Sequence, residues 1–292
     1  MDKYFRNVKV AILFILPAML VYTLMIFYPL TSSFFKSFTL WDGLSKAQFA
    51  GLYNYKKLLS DPILFTSLRN CFIFALMLIV IQVIGGTLLS FILVDKHIKG
   101  RVFFRKATFI PVLLSVVVAS QLWVSILHGQ YGLLNQLFEA TGLAYRQDWL
   151  GQDPSAIILV SFVNAWQFLG LQLLIIYSAV RSVPEFYLEA ASLEGATPFY
   201  SHMKITIPLI KDTLKVCLIL AITSGFKAFE NMYVMTGGGP AKATYSLTMM
   251  IFDAMFRVNK YGYGSAIAMF VLVLCLITTV VINNIAKERV EY

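Results

Sequence analysis

Glu189–Pro208 reads EAASLEGATPFYSHMKITIP and lies between two long apolar runs. It is too polar to cross a membrane, yet it carries helix signals. Just upstream, Ser182-Val183-Pro184-Glu185 has the form of a capping box, with Ser182 placed to cap and Glu185 to reach back. Pro184 suits a first turn, where a missing N–H costs little. Phe186, Ala190 and Leu193 then recur at i, i+4 and i+7 as one apolar stripe. Gly195 stops this helix as a left-handed cap residue. Thr197-Pro198 opens a second short helix toward Ile205, and Pro208 ends the motif. Ala190 and Ala191 leave the helix backbone open to a partner surface, with the charge of Glu189 beside them. Two readings fit these residues: a rigid knob for another protein's groove, or an elbow between two spans.

The composition around this loop sets the class. Of 292 residues, 59% are hydrophobic and 13% charged. Soluble domains hold about 45–50% apolar and about 25% charged residues, so the chain reads as an integral membrane protein. A helix needs about 20 mostly apolar residues to cross the hydrocarbon core. Six segments qualify: Val10–Leu30, Cys71–Val94, Ala107–Leu127, Ser155–Tyr177, Thr213–Met235 and Ser265–Ile285. Lys215, Lys227 and Glu230 interrupt the fifth. The predicted fold is all-α: one transmembrane domain of six helices, with the helix-turn-helix of about 182–208 between the fourth and fifth. The first segment is read as retained, since its flank MDKYFRNVKV is only modestly basic and no small-residue cleavage site follows it.

Basic residues orient the chain. They are about twice as dense in 1–9, 95–106, 178–211 and 286–292 as in the alternate loops, and densest in DKHIKGRVFFRK, Asp95–Lys106. Both termini and the Glu189 loop are therefore expected on the cytoplasmic side. The net charge of +9 is read as loops held at an anionic lipid surface. It is not read as nucleic-acid binding, because no basic patch interleaves with aromatics. Cys71, Cys217 and Cys275 lie in or beside apolar runs without metal or redox spacing.

Polar groups inside spans are costly and mark function by default. The fourth span carries Asn164, Trp166 and Gln167, with Gly170 and Gln172 beyond. Amides beside an aromatic face suit a sugar, whose hydroxyls need partners and whose C–H faces stack. The same amides could instead bond neighbouring helices. The fifth span carries Lys227, Phe229, Glu230 and Asn231. Lys227 and Glu230, at i and i+3, could pair, line a wet path, or relay protons. Gly85-Gly86 in the second span is expected to allow close helix approach. Gly237-Gly238-Gly239-Pro240 is expected to form a tight outer turn.

The Glu189 loop resembles the EAA motif of permease subunits from binding-protein-dependent ATP-binding-cassette importers. That pattern is EAA, three residues, glycine, nine residues, then I-x-L-P. Here Glu189-Ala190-Ala191, Gly195 and Ile205-Thr206-Ile207-Pro208 keep the spacing, with Ile207 where leucine is usual. FAGLYNYKKLLSDP (Phe49–Pro62), FFRKATFIPVLLS (Phe103–Ser115) and MTGGGPAKAT (Met235–Thr244) resemble segments of the carbohydrate branch. The resemblance implies a type I importer fold. It also implies a coupling helix in which Glu189, Ala190, Ala191 and Gly195 meet an ATPase subunit, and a binding-protein dock near Gly237–Pro240.

The implied partners are a second, different permease subunit, two ATPase subunits, an extracytoplasmic solute-binding protein, a carbohydrate and membrane lipid. The implied location is a bacterial or archaeal cell membrane. ATP and Mg would sit on the ATPase subunits. This chain itself carries no G-x-x-x-x-G-K-[ST] loop and no His/Cys/carboxylate cluster that would hold a catalytic metal. It is therefore expected to bind no cofactor and not to be an enzyme. Alternatives kept open are an importer of glycerol phosphate or another polyol, and a self-sufficient ion-coupled transporter.

Overall fold

The structure is a computed structural model that describes residues 8–143 and 145–285. The charge-bearing tail 286–292 and residues 1–7 used to orient the chain lie outside the described residues. Helices α1 (Val8–Tyr22) and α2 (Tyr28–Lys36) run on through a π-helical turn, Thr23–Phe27. A two-residue hairpin follows, β1 (Thr39–Leu40) antiparallel to β2 (Gln48–Phe49), and then α3 (Tyr53–Leu59).

Helix α4 (Pro62–Leu78) begins on a proline and passes through a π-helical segment, Ile79–Gly85, into α5 (Gly86–Val94). After α6 (Arg101–Phe109) and a 3-10 turn at Ile110–Leu113, α7 (Val116–Ile126) leaves at a bend of 101°. Then come α8 (Leu133–Ala140), the long α9 (Ser155–Ser182) and the loop helix α10 (Glu185–Leu193). Two short helices, α11 (Pro198–Ser201) and α12 (Ile207–Leu209), lead to α13 (Lys211–Phe226) and α14 (Glu230–Thr236). The described chain closes with α15 (Leu247–Phe252) and α16 (Tyr261–Ile285).

Four of the six expected segments lie in continuous helices long and apolar enough to span: Ile12–Lys36, Pro62–Val94, Ser155–Ser182 and Tyr261–Ile285. The second starts nine residues earlier than hydropathy placed it. Its first turns hold Ser67 and Asn70, both fully buried, which a hydropathy reading takes for loop. The third expected segment is the bent pair. Pro111 lies in its 3-10 turn, and Leu114 is extended at φ −76°, ψ 144°. The fifth is broken after Phe226, with Phe229 at φ −143°, ψ −62°. Non-helical backbone at membrane depth survives only where protein or a wet cavity satisfies it, and both breaks meet that condition below.

The chain packs as two units. One is Pro62–Met249 with the chain from Val271 on, and the other is the chain up to Asp61 with Met250–Phe270. In the larger unit, α9 is the central helix and packs on α4, α5, α7, α13 and α14. Its Ile157, Val160, Val163, Leu173 and Ile176 are fully buried. Two glycines let neighbouring helices come close. A Cβ on Gly170 would strike the Thr108 carbonyl, and one on Gly225 would lie 2.6 Å from the Ala75 Cβ. Gly86 also faces the α9 backbone, less tightly: a Cβ there would lie 3.6 Å from Ile176 and 3.7 Å from Leu173 N, in ordinary contact.

In the smaller unit, the hairpin is held by the buried amide of Asn54. It donates to the carbonyls of Ser37 and Thr39 at 2.9 and 2.8 Å. Ser37 and the Tyr55 hydroxyl bond at 2.7 Å beside them. Gly262 presses onto this strand and donates its N–H to Trp41 O. The helix Ile12–Lys36 buries none of its most apolar stretch. An unbroken apolar surface of that kind is stable only in lipid or under another chain.

Candidate functional site

The break in the fifth segment opens a cavity of about 410 Å³ in the larger unit. Helices α4, α9, α13 and α14 wall it. Of the residues that sequence placed on a substrate path, Asn164, Lys227, Phe229, Glu230 and Asn231 line it, and Trp166 and Gln167 do not. Gln167 is fully buried, and its Nε2 donates to Leu114 O at 2.9 Å. That carbonyl is freed by the bend in the third segment, so Gln167 satisfies backbone that the bend would strand. Trp166 packs edge-on against Trp123, with centroids 5.5 Å apart.

Asn231 is a hub. Its Oδ1 accepts from Asn164 Nδ2 at 2.7 Å, and its Nδ2 donates to Ser120 Oγ at 3.0 Å. These two bonds tie α14 to α9 and α7. Lys227 and Glu230 do not pair with each other. The helix that would bring them together at i, i+3 is broken between them, and both side chains open onto the cavity. Among the described residues neither has an ion-pair partner. A lone charge in a span costs several kcal/mol unless water or a ligand solvates it.

Sequence reading underweighted two further lining residues. Gln172 is 6% exposed, and its Oε1 has no hydrogen-bond donor. Gln82 is buried and reaches the Asn164 and Ala165 carbonyls at 3.5 Å. Their signal in the sequence was an amide in an apolar run, which does not reveal which way the amide points.

The second candidate region is the Glu189 loop. The capping box does not form. Ser182 belongs to the last turn of α9, where its Oγ donates to Ala179 O at 2.7 Å. Helix α10 starts at Glu185 after Pro184, with no side-chain cap. Glu185 instead meets Lys96 at 2.8 Å. The later signals hold: Gly195 ends the helix at φ +82°, and Thr197 Oγ1 accepts from Tyr200 N at 3.3 Å. Pro208 lies within α12 rather than at its end.

The apolar stripe faces outward. Phe186 is 59% and Leu193 89% exposed. Ala190 is exposed and Ala191 half-exposed. The carboxylate of Glu189 borders a hollow of about 320 Å³ beneath the helix, beside Lys96, His97 and Arg181. It forms no ion pair among the described residues.

The Lys96 ammonium donates to Glu185 and holds its carboxyl below the ordinary value of 4.5. A depressed carboxylate contributes above its ordinary value, and the contribution is lost as pH falls through the depressed one. Replacing Glu185 by Gln is expected to speed amide exchange at the start of α10, and lowering pH through the depressed value is expected to reduce protection there relative to the intrinsic exchange rate at that pH. The bridge is exposed, so the same loosening is expected in high salt at neutral pH. Hydrogen-exchange mass spectrometry of the 185–193 segment checks both.

The glycine turn after α14 is tight. Gly237 and Gly238 adopt φ +60° and +88°, and the Gly239-Pro240 peptide is cis. The side chain of Asn70, which sequence reading passed over, pins the turn by donating to Lys242 O at 3.1 Å and Tyr245 O at 3.0 Å.

No protein-family model matches the chain. It is 36% identical over 274 residues to the probable ABC transporter permease protein YurN of Bacillus subtilis, covering 93% of this chain and 94% of that one. The chain belongs to the ABC sugar-importer permease family. The trehalose/maltose transport system permease protein MalF of Thermococcus litoralis is 30% identical to it, covering 98% of this permease and 96% of that protein. The probable permease PH1215 of Pyrococcus horikoshii is 34% identical, covering 91% of each. The fold matches a chain of a bacterial ABC transporter involved in import of the acidic polysaccharide alginate. The TM-score is 0.85 at 19% identity, covering 100% of this permease and 99% of that chain. The permease is thus a helical, multi-pass membrane protein.

Proposed function

We propose that this permease moves a neutral carbohydrate, an oligosaccharide, from an external binding protein into the cytoplasm by alternating access. It does so beside a second permease subunit and two ATPase subunits that hold ATP and Mg. The chain lies in a bacterial or archaeal cell membrane with both termini cytoplasmic. The Glu189 helix docks in the ATPase and couples hydrolysis to gate movement. Relatives named for sugar uptake support the carbohydrate. A fold neighbour in complex with a pentasaccharide-bound periplasmic protein supports the binding-protein partner.

The observation that carries the reading is the 410 Å³ cavity at the helix break, which lies within the range of small-molecule sites. Its wall joins Phe74, Phe168 and Phe229 to Lys227, Glu230 and Asn231, which gives apolar faces for sugar C–H groups and polar partners for hydroxyls. The Glu230 carboxylate in the wall favours a donor-rich, uncharged ligand over an anion.

A second reading, import of glycerol phosphate or another polyol, is favoured by Lys227, which stands in the cavity without a carboxylate partner. The experiment is stimulated ATPase and uptake in the reconstituted complex, comparing neutral oligosaccharides with glycerol phosphate. For a neutral substrate, Lys227→Gln is expected to change uptake less than about tenfold, the worth of one hydrogen bond to a charged group at its lower end. Uptake confined to an anionic substrate, and abolished by that substitution, would replace the first reading with the second.

A further inference from the structure

The smaller unit holds a second cavity, of about 490 Å³, that the transport path does not use. Lys46, Lys57 and Lys260 reach it, with the rings of Trp41, Tyr53 and Tyr263. None of the three ammonium groups has a carboxylate within ion-pair range among the described residues. The acid in the wall, Asp42, is already engaged. Its Oδ1 accepts from Ser45 N, Ser45 Oγ and Leu44 N at 2.7–3.0 Å, and these bonds hold its carboxyl down to about 2. The pocket is therefore a built excess of positive charge with aromatic sides.

Its level along the helices is fixed by the chain. The spanning helix Ile12–Lys36 ends just before Trp41, and the Lys36 ammonium sits 4.0 Å above the Trp41 ring. Lys57 lies five residues before the Pro62 start of the next spanning helix. Tyr263 is in the first turn of Tyr261–Ile285, and Lys57 lies 5.0 Å over its ring. Trp and Tyr gather where hydrocarbon meets headgroups, and each lysine near an anionic headgroup adds attraction. The helix that ends at Lys36 offers an apolar track in its last turns, where Leu30, Phe34 and Phe35 are 37%, 47% and 69% exposed. Leu44 and Phe49 beside it are 97% and 83% exposed. Basic pocket, aromatic collar and apolar track together match a headgroup with its acyl chains better than a soluble anion, which has no use for the track.

We propose that this pocket binds the phosphate of an anionic phospholipid, the lysines holding the headgroup and the Leu30–Phe35 face holding the acyl chains. The assignment is independent of which sugar the cavity in the larger unit takes.

The test uses the assembled importer in lipid nanodiscs of phosphatidylglycerol or phosphatidylcholine, with retained lipid counted by native mass spectrometry after detergent exchange. The wild-type complex is expected to keep phosphatidylglycerol roughly tenfold or more in preference to phosphatidylcholine. The triple variant Lys46→Gln, Lys57→Gln, Lys260→Gln is expected to lose that preference, and the triple Lys→Arg variant to keep it. Equal retention of the two lipids by wild type overturns the proposal without any variant. So does a preference that survives the Gln variant. Competition by millimolar inorganic phosphate without dependence on acyl chains would assign the pocket to a soluble anion. If the Gln variant lost the external binding protein while lipid retention stayed unchanged, the lysines would belong to a protein partner.

Discussion

Glu189→Ala is expected to leave the permease folded and assembled while ATP hydrolysis stops responding to loaded binding protein. The carboxylate stands on an exposed helix with no ion-pair partner of its own among the described residues, so its removal costs the isolated chain little. Its whole contribution would be to the contact with the ATPase. Coupling between two sites is typically worth a factor of about 5–150, and stimulation should fall within that range. Phe186 and Leu193, exposed on the same helix, would still dock, so the subunits should co-purify. The measurement is ATPase rate with and without loaded binding protein, alongside subunit stoichiometry. Full stimulation in the variant would take Glu189 out of the coupling role. Loss of the ATPase subunits altogether would make it a docking anchor instead.

Gly170→Ala is expected to damage the fold itself. One added methyl would meet the Thr108 carbonyl and lie 2.7 Å from Phe109 Cα. Both are backbone atoms at the end of α6, so no side chain can swing aside. Overpacking of this kind costs about 1–3 kcal/mol when neighbours can adjust, and the upper end applies here. The same contact aligns α9 with the bend where Gln167 meets Leu114 O, so the damage should reach the cavity wall as lower yield and earlier thermal aggregation in detergent. Gly195→Ala gives the contrast. Nothing lies within 4 Å of a Cβ there, but φ is +82°, which costs an L-residue about 1–2 kcal/mol at the end of one loop helix. That variant should fold and transport with a looser coupling segment. If Gly170→Ala proved as stable as wild type, the close approach of α9 to α6 would be wrong.

The loop at Glu189–Pro208 shows how far local chemistry carries. Gly195 and Thr197 take their roles because a left-handed terminus and an N-cap depend on a few adjacent residues. Ser182 and Glu185 do not, because Lys96, 89 residues away, offers Glu185 a better partner. In the fourth span, sequence left Asn164, Trp166 and Gln167 between a sugar path and bonds to neighbouring helices. The structure sends Asn164 to Asn231, Gln167 to a stranded carbonyl and Trp166 to Trp123. In the fifth span, the charges at Lys227 and Glu230 marked the interruption, and the open helix there leaves each facing the cavity instead of the other.

Composition and the period of apolar residues determined that this is a helical membrane chain, because hydrocarbon tolerates no unpaired backbone and the cost is paid residue by residue along each helix. Motif spacing determined the place and turns of the Glu189 loop for the same local reason. Only the tertiary structure decided where helices bend, which glycines bear backbone contact, and which polar side chains open onto a cavity. Each of those depends on a group far away in sequence that either supplies a hydrogen bond or leaves no room, and a one-dimensional pattern carries no record of which distant group that is.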